Sequence, residues 1–202
     1  MYRLYDYLPS GNSYKPRLLL SLLGIEYERI DVDIMKGETR TPEFLLKNPN
    51  GRIPALQLEN GEVLWESNAI LYYLARHGTP YMPTDPLPAA QVMQWMFFEQ
   101  YSHEPFIAVA RFILMHTDVD SPRRAEMEQK MTGGYAALDV MEQHLASNSY
   151  FVDDTMSIAD IALYAYTHVA DEGGFDLSGY PAVNSWLARI AATPGYVGID
   201  AA

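Results

Sequence analysis

The sequence predicts an α/β unit followed by an all-helical one. Three observations carry this prediction. Up to Arg76, short alternating stretches rich in aromatic and β-branched residues take turns with stretches of helical period. A proline-rich segment follows. Beyond it, nearly every segment repeats its apolar residues at helical spacing.

Taken in order, YRLYDY (2–7) reads as a strand, LPSGNSYKP (8–16) as a loop, and RLLLSLLG (17–24) as a helix whose Gly24 suits a left-handed cap. YERIDVDI (27–34) alternates as a second strand does. In TPEFLLKNPNG, Thr41 starts a short helix with Pro42 at its first position, and Asn50-Gly51 stop it. A hairpin follows: PALQL (54–58), the turn ENGE with Asn60 and Gly61 expected at positive φ, and VLW (63–65). A helix from Glu66 to Arg76 completes the order β-α-β-α-β-β-α. Its opening residues raise a question. Ser67 and Asn68 suit a helix start, where side-chain oxygens accept from amides that have no carbonyl partner, but capping alone does not need Glu66.

From Gly78 to Pro88 there are four prolines and no period, so we place a first domain at 1–78, a linker at 79–88 and a helical bundle at 89–202. Helical period runs through 89–116, 123–147, 157–172 and 182–193. In MSIADI, Ser157 is expected to cap the Asp160 amide, with Met156 and Ile161 as a hydrophobic staple.

Bulk composition narrows the function classes. The chain has 202 residues, 49% of them hydrophobic, enough for a sizeable core. A net charge of -12 and a pI near 4.7 argue against nucleic acid as a partner, since its phosphates call for a basic surface. There is no cysteine, which excludes disulfides and thiolate metal sites, and any catalytic thiol must arrive with a substrate. MYRLYDYLPSGNSYKP lacks the apolar core of a signal peptide and no run is long enough to span a bilayer, so a cytoplasmic protein without membrane association is expected.

NPNGRIPAL (48–56), ESNAILYYLA (66–75), SIADI (157–161) and YPAVNSWLARIAATPGY (180–196), in this order and spacing, resemble the cytosolic glutathione S-transferases over essentially the whole chain. The resemblance implies a thioredoxin-like N-terminal domain, an all-helical C-terminal domain, glutathione as co-substrate, no metal, and a homodimer. Within it, Pro54 matches the family's cis-proline and Ile53 the residue whose backbone pairs with the cysteinyl part of glutathione. Glu66 and Ser67 match the pair that receives the γ-glutamyl group, and Arg52 the basic residue that pairs with the glycine carboxylate. Physical chemistry is consistent with these roles. A cis X-Pro bond exposes the preceding backbone to an extended peptide, and a helix N-terminus favours an anion. Without the resemblance, Pro54 fits a trans edge strand equally well, Arg52 a solvated charge and Ser67 a plain cap.

Glutathione would supply the missing sulfur. A thiol with a pKa near 8.5 must become a thiolate to react at neutral pH, so the site needs hydrogen-bond donors to the charged form. The placement of Ser10 after the first strand resembles the Ser/Asn-type classes (delta, theta and nu), which makes Ser10 the first candidate donor and Asn12 the second. Ser13 also faces the helix start, and Tyr5 and Tyr7 are the alternatives of the Tyr type. GNSYKP lacks the usual Pro-Cys-Arg of that loop. An electrophile pocket is expected between the two domains, with contributions from FFEQYSHEPFIAVARF, which carries Glu99, His103, Glu104, Phe106, Arg111 and Phe112. The function expected is conjugation of glutathione to a small apolar electrophile. The alternatives are disulfide reduction with two glutathione molecules, and a non-catalytic glutathione-binding or interaction module.

Overall fold

The computed structural model describes residues 1–76 and 78–201. The chain divides into two units, one made of residues 1–79 together with those from Thr193 onward, the other of Pro80–Ala192. Residues 193–201, which the sequence reading groups with the helices, therefore belong to the first unit.

That first unit is built on a four-stranded sheet in the order β2-β1-β3-β4. β1 (Tyr2–Asp6) pairs in parallel with β2 (Tyr27–Asp31) and antiparallel with β3 (Ala55–Gln57), which pairs antiparallel with β4 (Val63–Trp65). Helices α1 (Gly11–Leu22), α2 (Pro42–Leu45) and α3 (Ser67–Ala75) complete the β-α-β-α-β-β-α order. Leu4, Leu18, Leu19, Leu56, Ile70 and Leu71 are fully buried and form its core.

Helix α1 differs from expectation: it starts at Gly11, six residues before Arg17. Ser10 is its extended N-cap, and the Ser10 hydroxyl accepts the Ser13 amide at 3.3 Å. Pro16, taken as part of a loop, is carried inside the helix and gives up only the bond its nitrogen would make to the Asn12 carbonyl. At the other end Gly24 has φ +64. Its amide reaches the Ser21 carbonyl while that of Ile25 reaches Leu20, the paired closure that a left-handed cap provides.

Three smaller corrections have local causes. β2 stops at Asp31 because Asp33 caps a short turn through the amides of Met35 and Lys36. In the β3–β4 turn only Gly61 takes a positive φ, whereas Asn60 uses its side chain to hold the Glu62 amide. Thr41 does cap α2, with Pro42 at the first position, but that helix spans only four residues.

The tail returns to one face of α1. Tyr14 donates to the Val197 carbonyl at 2.6 Å and Ser21 to that of Gly195 at 2.8 Å. Between them the buried Arg17 guanidinium donates to the carbonyls of Ile199, Ala201 and Leu8, and its Nε lies 3.3 Å from Asp6. Burial pushes the Asp6 carboxyl above its ordinary range, against the pull of Arg17 and Arg29.

The second unit consists of α4 (Pro86–Phe98), α5 (Glu104–His116), α6 (Met127–Leu145), α7 (Ile158–Thr167) and α8 (Pro181–Ala191). α4 begins inside the proline-rich segment, because proline is tolerated in a first helical turn. The single helical period read over 89–116 is broken by a π-helical turn, Glu99–His103. Its cause is Pro105, which has no amide proton for the Tyr101 carbonyl. Before α7 the expected cap forms, and its carboxylate does more than cap. Asp160, fully buried, accepts from the amides of Phe151 and Ser157, from the Ser157 hydroxyl and from the Trp186 indole. No helix among the described residues is long and apolar enough to cross a membrane.

Candidate functional site

The register of the sheet brings three chain segments to one end. Tyr5 of β1 lies opposite Ala55 of β3, and Ala55 lies opposite Trp65 of β4. The loop leading into α1, the Ile53–Pro54 bond and the start of α3 therefore leave the sheet together.

Glu66 links β4 to α3 in an uncommon conformation, φ 70 and ψ 114. For a residue with a side chain this costs about 1–3 kcal/mol, a strain that recurs where a chain must present a group for binding. Glu66 itself provides no side-chain cap, so the first amides of α3 are not covered from that position. Ser67 does not turn back to cap either. Its hydroxyl, almost fully buried, lies 3.3 Å from Asn12 Oδ1 and 3.3 Å from Lys15 Nζ. Lys15 Nζ in turn donates to Asn12 Oδ1 at 2.9 Å. Asn12, Lys15 and Ser67 thus close a triangle joining the first turns of α1 and α3. Two helix N-termini and a buried ammonium together make this a place where negative charge is stabilised.

Ser10 borders the same turn. Its oxygen accepts the Ser13 amide as a cap, which leaves the hydroxyl proton to donate outward. On the other side the Ile53–Pro54 peptide bond is cis. The loop before it is held by Asn48, whose buried side chain donates to the Arg52 carbonyl at 2.6 Å and accepts the Asn50 amide at 3.0 Å. Asn48→Ala is expected to lower stability by about 1–2 kcal/mol, since it removes both hydrogen bonds that hold this part-buried loop, and thermal melting measures it.

With this geometry in place, comparison with known proteins is decisive. Residues 1–76 match the family described as glutathione S-transferase, N-terminal domain, and residues 97–194 match glutathione S-transferase, C-terminal domain. The chain belongs to the glutathione S-transferase family. It is similar to a solved glutathione S-transferase from Pseudomonas fluorescens [Pf-5], with 55% identity, a TM-score of 0.95 and 98% of each chain covered. It is 32% identical to maleylacetoacetate isomerase from Rhizobium meliloti (strain 1021), over 98% of this chain and 92% of that one. A structure of Ure2p in complex with glutathione matches with a TM-score of 0.86 and 27% identity, over 96% of this chain and 90% of that one.

Set against the glutathione S-transferase reading of the sequence, the candidate residues sort into groups. Ser10, Asn12 and Ser67 lie at the two joined helix starts, with Ile53, Pro54 and Glu66 at the same end of the sheet. Arg52 is exposed there. Tyr5 is used elsewhere: its hydroxyl donates to Gln57 and its ring packs edge-on against Phe44. Tyr7 offers its backbone carbonyl to the Ser10 amide, and Ser13 is buried with its amide committed to the cap. In the helical unit, Phe106 packs over Gly133 and near Lys130, and Phe112 lies beside His116 and Arg123. Arg111 pairs with Glu172 at 2.6 Å, His103 is hydrogen-bonded to Thr167, and Glu99 is fully buried. These contacts are internal to that unit. Glu104 stands in the first turn of α5. Among the described residues no cluster of His, Asp or Glu is disposed to hold a metal ion.

Sequence reasoning missed Lys15. The sequence alone places it in a loop, whereas a helix capped by Ser10 puts Asn12 and Lys15 three residues apart on one face. The signal was present as Ser-Gly-Asn-Ser, a helix start placed too late because of Pro16.

Proposed function

We propose that this protein is a glutathione transferase in which the thiolate of bound glutathione attacks a small apolar electrophile. One observation carries the reading: the starts of α1 and α3, joined through Asn12, Lys15 and Ser67, lie with the cis Ile53–Pro54 bond at one end of the sheet. The γ-glutamyl carboxylate is received by Ser67 and the first amides of α3, with Glu66 facing its ammonium group. The Ile53 backbone pairs with the cysteinyl part, and Arg52 meets the glycine carboxylate. Ser10 and Asn12 donate to the sulfur. A charge-assisted hydrogen bond contributes about 1.5–3 kcal/mol, which corresponds to roughly one to two pKa units. Two such donors are enough to bring a thiol from about 8.5 below neutrality. The proton leaves to solvent, the new carbon–sulfur bond forms, and the leaving group departs with the electron pair of the bond it breaks.

The test is the ultraviolet absorbance of the bound thiolate across pH. Ser10→Ala and Asn12→Ala are each expected to raise the bound thiol pKa by about one unit or more, and of the two Ser10→Ala, which leaves the joint between α1 and α3 intact, is expected to cost less affinity. An unshifted thiol in the wild-type protein would leave only a binding module. A second reading is glutathione-dependent disulfide reduction. With no cysteine in the chain, thiol–disulfide chemistry here would draw both sulfurs from two glutathione molecules. Turnover of an activated aryl halide against turnover of a small disulfide separates the two.

A further inference from the structure

Arg17 sits in the middle of α1, almost fully buried, and its guanidinium reaches two parts of the chain that the sequence sets far apart. Nη1 donates to the tail, to the carbonyls of Ile199 and Ala201 at 2.8 Å each. Nη2 donates to the Leu8 carbonyl at 2.6 Å, and Nε faces Asp6. The group is planar and its donors keep fixed directions, so a tail that holds Nη1 also sets where Nη2 points. Leu8 in turn belongs to the bend that delivers Ser10. The Ser10 amide closes that bend on the Tyr7 carbonyl at 2.8 Å, with Leu8 and Pro9 between them. Proline at the second central position suits the common turn poorly, because it drives the residue before it out of the helical region. Such a turn gains from ties to its surroundings. The bond from Arg17 is one of these ties, and it leads to the far end of the chain.

We propose that Arg17 is a positioning residue for Ser10, itself held in place by the tail: the carbonyls of Ile199 and Ala201 orient the guanidinium, the guanidinium orients the Leu8 carbonyl, and the turn then places the Ser10 hydroxyl. The consequence for glutathione rests on the reading above that Ser10 donates to its sulfur. Hydrogen bonds weaken steeply when misaligned, so a displaced hydroxyl stabilises the thiolate less and the thiol pKa rises. The last residues of the chain thus act on the nucleophile without touching it. The charged and titratable groups around the guanidinium are Asp6, Arg29, Tyr14 and Tyr27, and all four stay in place in every variant below.

The experiment has two readouts, amide hydrogen exchange at Ser10 in the free protein and a pH titration of bound glutathione thiolate. The tail is released in two ways, by ending the chain at Gly198 and by Ile199→Ser, which removes a buried apolar anchor while leaving the terminal carboxylate where it was. Both are expected to speed exchange at Ser10 by about tenfold or more, while the Ile70 amide, bonded to the Glu66 carbonyl in α3, exchanges as in wild type. Both are also expected to raise the thiol pKa by about half a unit or more, and to add nothing in a Ser10→Ala background. Arg17→Lys, which keeps the charge and loses the planar fork, is expected to behave as the tail variants do. Unchanged exchange at Ser10 in both tail variants would overturn the proposal, and so would a wild-type pKa in Arg17→Lys, since charge and not geometry would then be at work. A pKa shift that persists without Ser10 would overturn it as well. If Ser10→Ala itself leaves the pKa unmoved, it is the donor role of Ser10 that fails, and faster exchange at Ser10 still supports the hold of the tail on the turn. Should Arg17→Lys not fold, the two tail variants carry the test, because the guanidinium is intact in both.

Discussion

Asp160→Ala is expected to lower stability by about 4 kcal/mol or more, the largest effect of any single substitution considered for this protein. The carboxylate is fully buried and holds four donors at once: two amides, a hydroxyl and an indole. An unsatisfied buried donor costs about 1–3 kcal/mol, and the loss of the cap at α7 adds about 1 kcal/mol. These terms overlap, so the sum is an upper bound. The donors also tie separate pieces of chain. Phe151 lies in the loop before α7, Ser157 caps that helix, and Trp186 is the fully buried indole of α8. For a chain of this length the change corresponds to a fall in Tm of roughly 8–16 °C, readable by calorimetry. Asp160→Asn, which keeps one acceptor oxygen and turns a donor toward other donors, is expected to recover only part of it. A fall of less than 2 °C in Asp160→Ala would mean that water or a rearranged loop satisfies these donors.

Ser67→Ala is expected to weaken glutathione binding by roughly 10- to 150-fold, the span of one charge-assisted hydrogen bond. Two losses combine. The carboxylate loses the hydroxyl, and Lys15 and Asn12 lose a shared partner, which loosens the joint between α1 and α3. Titration calorimetry at fixed pH gives the affinity directly. The contrast with Ser10→Ala makes the measurement informative, since the change at Ser10 is expected to move the thiol pKa and to lower affinity less than Ser67→Ala does. Equal losses of affinity in both variants would contradict the division of labour between the two helix starts.

The two-unit architecture was legible because periodicity and proline are strong signals. Gly24, Thr41, Pro42 and the Ser157–Asp160 box were likewise read correctly, each being a local rule with a local cause. Two kinds of feature were not legible. One is the position where two local signals conflict: at Pro16 the cap at Ser10 prevails over the proline, and at Pro105 the missing amide prevails over a long apolar period. Where a role depends on a residue far along the chain, no local pattern reveals it. Lys15 is explained by Ser67, Tyr5 by Gln57, and Arg17 by carbonyls near the end of the sequence. The candidate site was therefore visible as a list of residues, while the joint that organises it was not.

That last dependence carries over to the order in which the protein is made. The Ile199 carbonyl that Arg17 needs is added 182 residues after Arg17 itself, once the whole helical unit has been translated. At cellular rates of about 5–20 residues per second, this is a wait of roughly ten to forty seconds. During that interval a guanidinium destined for burial lacks two of its carbonyl acceptors. The α/β unit, although it comes first, is completed last, and the helical unit has the opportunity to fold before it on the ribosome.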